Sequence, residues 1–238
     1  MSIAQNLAAI HEKMIAAARR ARRNAENVIL LGVTKTVPAQ QIREAYDAGL
    51  HILGENRVQE FATKAETLRD LQNAEWHMIG HLQTNKAAKA AELFAHVDSV
   101  DSLRLAQKLN AAAVELGKRL PILIEINIAG EAAKSGVAAD SSALEGILKA
   151  APELSSLDIR GLMTVPPYHD EPEQSRHYFR KMRDLFVHIA GRKLPAVKME
   201  VLSMGMSHDF EVAIEEGATC IRVGTAIFGA RPPLRSKI

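Results

Sequence analysis

The sequence predicts a single (β/α)8 barrel of the TIM type spanning residues 1–238, with an extra helix at its N-terminus. Three observations predict it. Short apolar runs recur eight times along the chain, and a segment of helical periodicity follows almost every one, which is the order of a parallel sheet buried on both faces. The eight units occupy about 200 residues, the scale of one closed barrel rather than a doubly wound sheet. Polar and glycine residues gather at the ends of the apolar runs, where such barrels carry their sites, and they played no part in placing the strands.

The elements follow in order. Ile3, Leu7, Ile10 and Met14 are spaced by threes and fours, which predicts an amphipathic helix over residues 3–24. It ends in Arg19, Arg20, Arg22 and Arg23, a cluster read as the solvated C-terminus of a helix. The first strand is the apolar run 28–33, leading into Thr34-Lys35. Pro38 opens the next helix and Gly49 closes it. His51-Ile52-Leu53 is the second strand, running into Gly54-Glu55-Asn56 before a helix across Val58, Phe61, Ala65 and Leu68. The third strand, Trp76–Ile79, ends in Gly80-His81, and a helix over about 84–94 follows. His96–Val100 is the fourth, after which Asp101 is expected to cap a helix reaching about 116. Ile122–Ile128 is the clearest strand, with a helix at about 140–150 behind it. Strand six is Ile159–Val165, stopped by Pro166-Pro167. The long helix 171–190 leads to strand seven, Met199–Leu202; a short helix at about 208–216 closes at Gly217; strand eight is Thr219–Val223.

Composition narrows the function classes. An apolar fraction of 47% is that of an ordinary globular chain, and a formal net charge of +2 argues against a polyanion partner such as nucleic acid. The lone cysteine, Cys220, excludes an intrachain disulfide, fits a reducing compartment and reads as an inert core thiol. No run approaches eighteen apolar residues, so no membrane span is expected, and Ile3–Ala18 is too interrupted by Gln5, His11, Glu12 and Lys13 for a signal peptide. The chain reads as cytoplasmic.

Chemistry collects at the strand ends. Lys35 closes strand one, where its side chain points into the barrel mouth or snorkels to solvent; a desolvated amine there attacks aldehydes. Ser203-Met204-Gly205-Met206-Ser207-His208 is read as a loop from strand seven to a helix, with Ser207 as N-cap and Gly205 allowing close backbone approach. Arg222-Val223-Gly224-Thr225 ends strand eight. Barrels of this type often bind phosphate with the loops after strands seven and eight, so the two segments together point to a phosphate site. A reactive lysine facing a phosphate site implies a phosphorylated aldehyde, either pyridoxal 5′-phosphate (PLP) or the substrate of a cofactor-free Schiff-base aldolase.

On these residues the chain resembles a known family. The matching stretches are Gly32-Val33-Thr34-Lys35, Leu53–Glu60, Trp76–Lys86, Gly161-Leu162-Met163, Leu202–Ser207 and Ile221–Gly229. They resemble the pyridoxal phosphate homeostasis proteins, relatives of the alanine racemase N-terminal barrel and of PLP fold-type III. The resemblance implies that Lys35 carries PLP as a Schiff base. It implies that Ser203, Ser207, Gly224 and Thr225 surround the phosphate and that Arg222 faces the pyridine nitrogen. It places Asn56, His81 and Asn127 along the pocket. It also implies a carrier and regulator of intracellular vitamin B6, with secondary effects on amino- and keto-acid levels and PLP-dependent apoenzymes as candidate partners; a monomer is expected because the second domain that forms the racemase dimer is not expected here.

The enzyme alternative, a weak amino-acid racemase, needs a second acid or base opposite the cofactor. Alanine racemases take a tyrosine from a second β domain, which is not expected here. Of Tyr46, Tyr168 and Tyr178, only Tyr168 lies in a loop that reaches the mouth. An open mouth suits cofactor exchange better than protected carbanion chemistry. Other candidates read more simply. His77 and His81 straddle a strand end and are expected to point apart, so they predict no metal site. Lys134 reads as a solvated loop lysine with a cofactor hand-off as its alternative, Arg231, Arg235 and Lys237 as a basic tail, and Met204 and Met206 as neighbours of the cofactor or gap-fillers.

Overall fold

Parallel pairing runs without a break around a closed ring in the computed structural model, which describes residues 1–131 and 133–229. The chain order is α1 (Ile3–Arg20), β1 (Ile29–Val33), α2 (Ala39–Asp47), β2 (Ile52–Glu55), α3 (Val58–Ala65), β3 (Glu75–Met78), α4 (Ala87–Leu93), β4 (His96–Val100) and α5 (Leu103–Glu115). It continues with β5 (Leu120–Asn127), β6 (Val137–Ala138), α6 (Ser142–Ala150), β7 (Leu157–Met163), α7 (Arg176–Gly191), β8 (Val197–Met206), α8 (Phe210–Glu215), β9 (Cys220–Val223) and α9 (Thr225–Phe228). Eight of these strands form the barrel, in the order β1-β2-β3-β4-β5-β7-β8-β9 and back to β1. The two-residue β6 is an addition the sequence did not signal; it lies beside the end of β5, pairing Ile126 with Val137.

The strands read as apolar because both faces are covered. Leu120, Ile122, Leu123, Ile124 and Ile126 of β5 are all buried. Trp76 of β3 faces outward, its ring 4.5 Å from that of Phe61 on α3. Its neighbours His77 and Glu75 therefore face the opposite side, the lumen. Inside the lumen Leu31, Val33 and Cys220 form a small apolar plug. Burial pushes the Cys220 thiol up to about 12, which agrees with an inert core cysteine.

Several boundaries differ from expectation for physical reasons. The first helix stops at Arg20 instead of continuing to 24, and its basic end is only partly solvated. Arg20 pairs with Glu215 at 2.6 Å and Glu211 at 2.9 Å, while half-buried Arg23 donates to the carbonyls of Ile214 and Ala218. These bonds, with the buried stripe Leu7, Ile10, Met14, Ala17 and Ala18, lay α1 against α8. Arg19 and Arg22 remain exposed. Ser102, not Asp101, caps α5, because Asp101 is engaged by His81. The seventh barrel strand reaches Met206, so Ser203–Met206 is strand rather than loop. Gly205 lies on it at φ +92°, where a Cβ would sit 2.5 Å from Ala213 Cβ; its bareness admits α8. Among the described residues, no helix is long and apolar enough to cross a membrane. Arg231, Arg235 and Lys237 lie outside the described residues.

Candidate functional site

A cavity of about 360 Å3 opens at the C-terminal ends of the barrel strands, within the size range of small-molecule sites. Lys35 and Asn56, just past β1 and β2, line one wall. Ser207, Gly224 and Thr225, just past β8 and β9, line the other, and Arg222 lies between. Val33, Ile79, Val165 and Met206 supply apolar surface, and Tyr168 and His208 stand at the rim.

Lys35 is half-buried, and the backbone on both its sides is held by one network. Lys64 Nζ donates to the Thr34 carbonyl at 2.9 Å, to Glu55 Oε1 at 2.9 Å and to Glu60 Oε1 at 2.7 Å. Glu60 Oε1 also accepts the Thr36 N–H at 2.6 Å, where Thr36 takes the left-handed φ of +61°. The Thr34 hydroxyl donates to Glu55 at 2.7 Å. Burial raises the carboxyl pKa of Glu55 above its usual range, with Lys64 opposing. For Glu60 burial pushes the same way but is outweighed by bonds from Lys64 and Thr36, so its pKa falls. The network fixes where the Lys35 side chain leaves the strand.

Arg222 is buried, yet both hydrogen bonds of its fork go to neutral oxygens: Nη1 to Ser203 Oγ and Nη2 to the Thr164 carbonyl, each at 2.8 Å. Burial lowers its pKa from the usual guanidinium value, with the partial opposition of distant acids. A guanidinium stays protonated, so toward the cavity it is a donor only. Deeper in the barrel Glu125 is buried; burial and then the Asp101 charge push it up to about 7.

The far wall is built by one hydroxyl. Ser207 Oγ accepts from the backbone N–H of Gly224 at 3.1 Å and of Ala226 at 3.4 Å, tying the end of β8 to the turn after β9. Ser207 therefore does not cap the helix that follows it, as the sequence suggested; Asp209 precedes α8 and accepts the Met206 N–H at 2.7 Å. On the rim, the Tyr168 and His208 rings lie 5.4 Å apart, and His208 Nε2 meets the Asp170 carbonyl at 2.8 Å.

Of the site residues read from sequence, the cavity brings together Lys35, Asn56, Ser207, Arg222, Gly224 and Thr225. It does not include Ser203 or His81. Ser203 is fully buried beneath Arg222, because β8 continues through it, and it contacts the guanidinium rather than the cavity. His81 turns outward to Asp101 at 3.0 Å and lines a separate shallow concavity beside Asn56 and Lys86. Asn127 bonds within its own loop, to Glu131 and Lys134, and Lys134 pairs with Glu131 at 2.7 Å. Met204 is buried in the barrel wall, whereas Met206 reaches the cavity. Sequence reasoning missed Lys64, Glu60 and Glu125. Glu125 carried a signal, a lone acid within an apolar strand; Lys64 and Glu60 sit four apart on a helix, which by itself reads as a surface ion pair.

Comparison with known proteins gives this geometry a context. The family model described as "Alanine racemase, N-terminal domain" matches residues 5–232. A pyridoxal phosphate homeostasis protein of Aquifex aeolicus (strain VF5) is 44% identical over 231 residues, covering 97% of this chain and 99% of the relative. One from Escherichia coli (strain K12) is 43% identical over 231 residues, covering 96% and 97%. The structure of PipY of Synechococcus elongatus PCC7942 with PLP bound superposes with a TM-score of 0.80 at 36% identity, covering 96% of this chain and all of that one.

Proposed function

The chain belongs to the pyridoxal phosphate homeostasis protein family, built on the alanine racemase N-terminal barrel, and from that premise we propose that it holds PLP as a Schiff base on Lys35 and serves as a cytoplasmic carrier and regulator of the cofactor. One observation carries the reading: a single cavity has a lysine amine on one wall, a serine-tied glycine and threonine turn on the other, and a donor-only Arg222 between. A phosphorylated pyridine aldehyde needs these three features. PLP supplies an aldehyde that condenses with amines and a ring that withdraws electrons.

The residues divide the work. Lys35 offers the amine, and the Lys64, Glu55 and Glu60 network sets its direction. Thr225 and the turn held by Ser207 receive the phosphate. Arg222, held by Ser203 and Thr164, donates toward the ring nitrogen and leaves it unprotonated, which weakens the ring as an electron sink. Tyr168 stands at the rim with 70% of its surface exposed, so the mouth admits water and free amines. That openness suits a monomeric carrier exchanging PLP with apoenzymes, and through them influencing amino- and keto-acid levels. The same tyrosine is the observation that favours the second reading, a weak racemase, in which it would serve as the opposing acid.

The test is visible absorption of the purified protein and of Lys35→Ala, each before and after adding PLP, followed by borohydride reduction and peptide mapping. A yellow wild type with the label on Lys35, and a variant without the band, is the expected outcome. A wild type that stays colourless with PLP overturns the reading. Sustained loss of optical activity from L-amino acids, abolished in both Lys35→Ala and Tyr168→Phe, would replace the carrier by the racemase.

A further inference from the structure

The lumen carries a second group of chemistry-bearing side chains at the end opposite Lys35. Glu75 is the first residue of β3 and His96 the first of β4, and in that parallel pair His77 is the register partner of His96. The three face the lumen together, each with one ligand-capable atom within 4.8 Å of the others. His96 Nε2 lies 3.9 Å from Glu75 Oε2, and the two imidazole rings stack with centroids 4.1 Å apart.

His77 is what separates this group from an ordinary polar patch. The residue is 9% exposed. Its Nδ1 meets Asp98 Oδ2 at 2.8 Å, while Nε2 is buried without a hydrogen-bond partner among the described residues. Leaving a buried polar nitrogen unmatched is costly, so such an atom calls for an explanation. A carboxylate on one ring nitrogen is the arrangement that orients a histidine for metal through the other, fixing the tautomer and raising ligand basicity.

We propose that Glu75, His77 and His96 form a binding site for one divalent transition-metal ion of the zinc class, with Asp98 orienting His77. Two imidazoles and a carboxylate are a donor set that this class of ion accepts, with the fourth position left to solvent. The near-parallel rings, 4° apart, do not yet aim both lone pairs at one point. His77 is held by Asp98, so His96, half-buried at the start of its strand, is the ring that turns. A bound ion would clip β3 to β4 at the foot of the barrel, away from the cavity at the strand ends.

The experiment titrates Zn2+ into the chelator-washed full chain by calorimetry, with thermal melting and circular dichroism on every variant. Wild type is expected to bind one ion per chain and to melt at a higher temperature when loaded. Asp98→Asn should weaken binding roughly 10- to 100-fold, the usual effect of removing an orienting partner. His96→Gln should weaken it at least as much; it leaves the His77–Asp98 bond in place and so tests the site even if His77→Gln misfolds. PLP loading should be unchanged in His96→Gln, which separates failure here from failure at Lys35. Absence of one-to-one binding in wild type overturns the proposal. So does wild-type affinity retained in both His96→Gln and Asp98→Asn, which would place the ion on other histidines among the nine in the chain.

Discussion

Replacing Lys64 by methionine keeps most of the buried stem and removes only the ammonium. Glu55 loses its cation where its side chain has 0% exposure, and Glu60 loses one where it has 26%. Deleting one partner of a buried pair typically costs about 3–5 kcal/mol. Glu55 has an escape that limits the cost, which is to take up a proton. Protonating a carboxyl of ordinary pKa 4.5 at pH 7 costs roughly 3.4 kcal/mol, at about 1.36 kcal/mol per unit. That figure is the ceiling on the loss at pH 7, since the wild-type carboxyl already lies above 4.5 in the folded state. Its sign with pH follows from the same route. The folded pKa of Glu55 already lies above its unfolded value and rises further in the variant. The native state then holds a proton that the unfolded chain has released, so stability falls as pH rises above the unfolded value. The loss should shrink to below about 1 kcal/mol at pH 5. Urea denaturation at the two pH values, followed by circular dichroism, measures it. A loss independent of pH, or one below about 1 kcal/mol at pH 7, would refute the network as a buried ion pair. PLP loading should also fall in Lys64→Met, because the Thr34 and Thr36 anchors beside Lys35 loosen together.

Two further outcomes follow from the lumen. Glu125 is pushed up to about 7 by burial and by Asp101, so the folded state holds its proton and the wild type loses stability as pH rises from about 4.5 to 7. Glu125→Gln cannot ionise; denaturation should find it more stable than wild type by about 3 kcal/mol at pH 8 and equal to it near pH 4. Ser203→Ala removes the acceptor of Arg222 Nη1 in a fully buried place, and the unmet donor should cost about 1–3 kcal/mol in denaturant titrations. If Ser203 instead contacted a ligand phosphate, stability without PLP would be unchanged and only PLP affinity would drop.

The barrel was legible because its information is local. Strand runs such as Ile122–Ile128 and the periodic helix of Leu7, Ile10 and Met14 declare themselves through neighbours in sequence, and parallel strands buried on both faces leave no polar alternation to confuse the reading. Strand ends were less legible. Ser203 and Ser207 are four apart in a segment rich in glycine and hydroxyls, and nothing in their types says that the strand continues through one and ends before the other.

The sequence by itself determined which residues stand at the mouth of the barrel, because strand order and direction place every strand end on one rim. Thus Lys35, Asn56, Arg222, Gly224 and Thr225 were within reach of one another before any coordinate was known. Only the tertiary structure decided what each polar atom does there. Ser207 ties a turn rather than capping its own helix, Ser203 steadies Arg222 from below, His81 turns out to Asp101, and Lys64 crosses from its helix to hold the backbone beside Lys35. The physical reason is that apolar burial depends on position along one element, whereas a hydrogen bond or ion pair depends on angstrom-scale approach between residues up to tens of positions apart, which the packing of helices on the barrel alone sets.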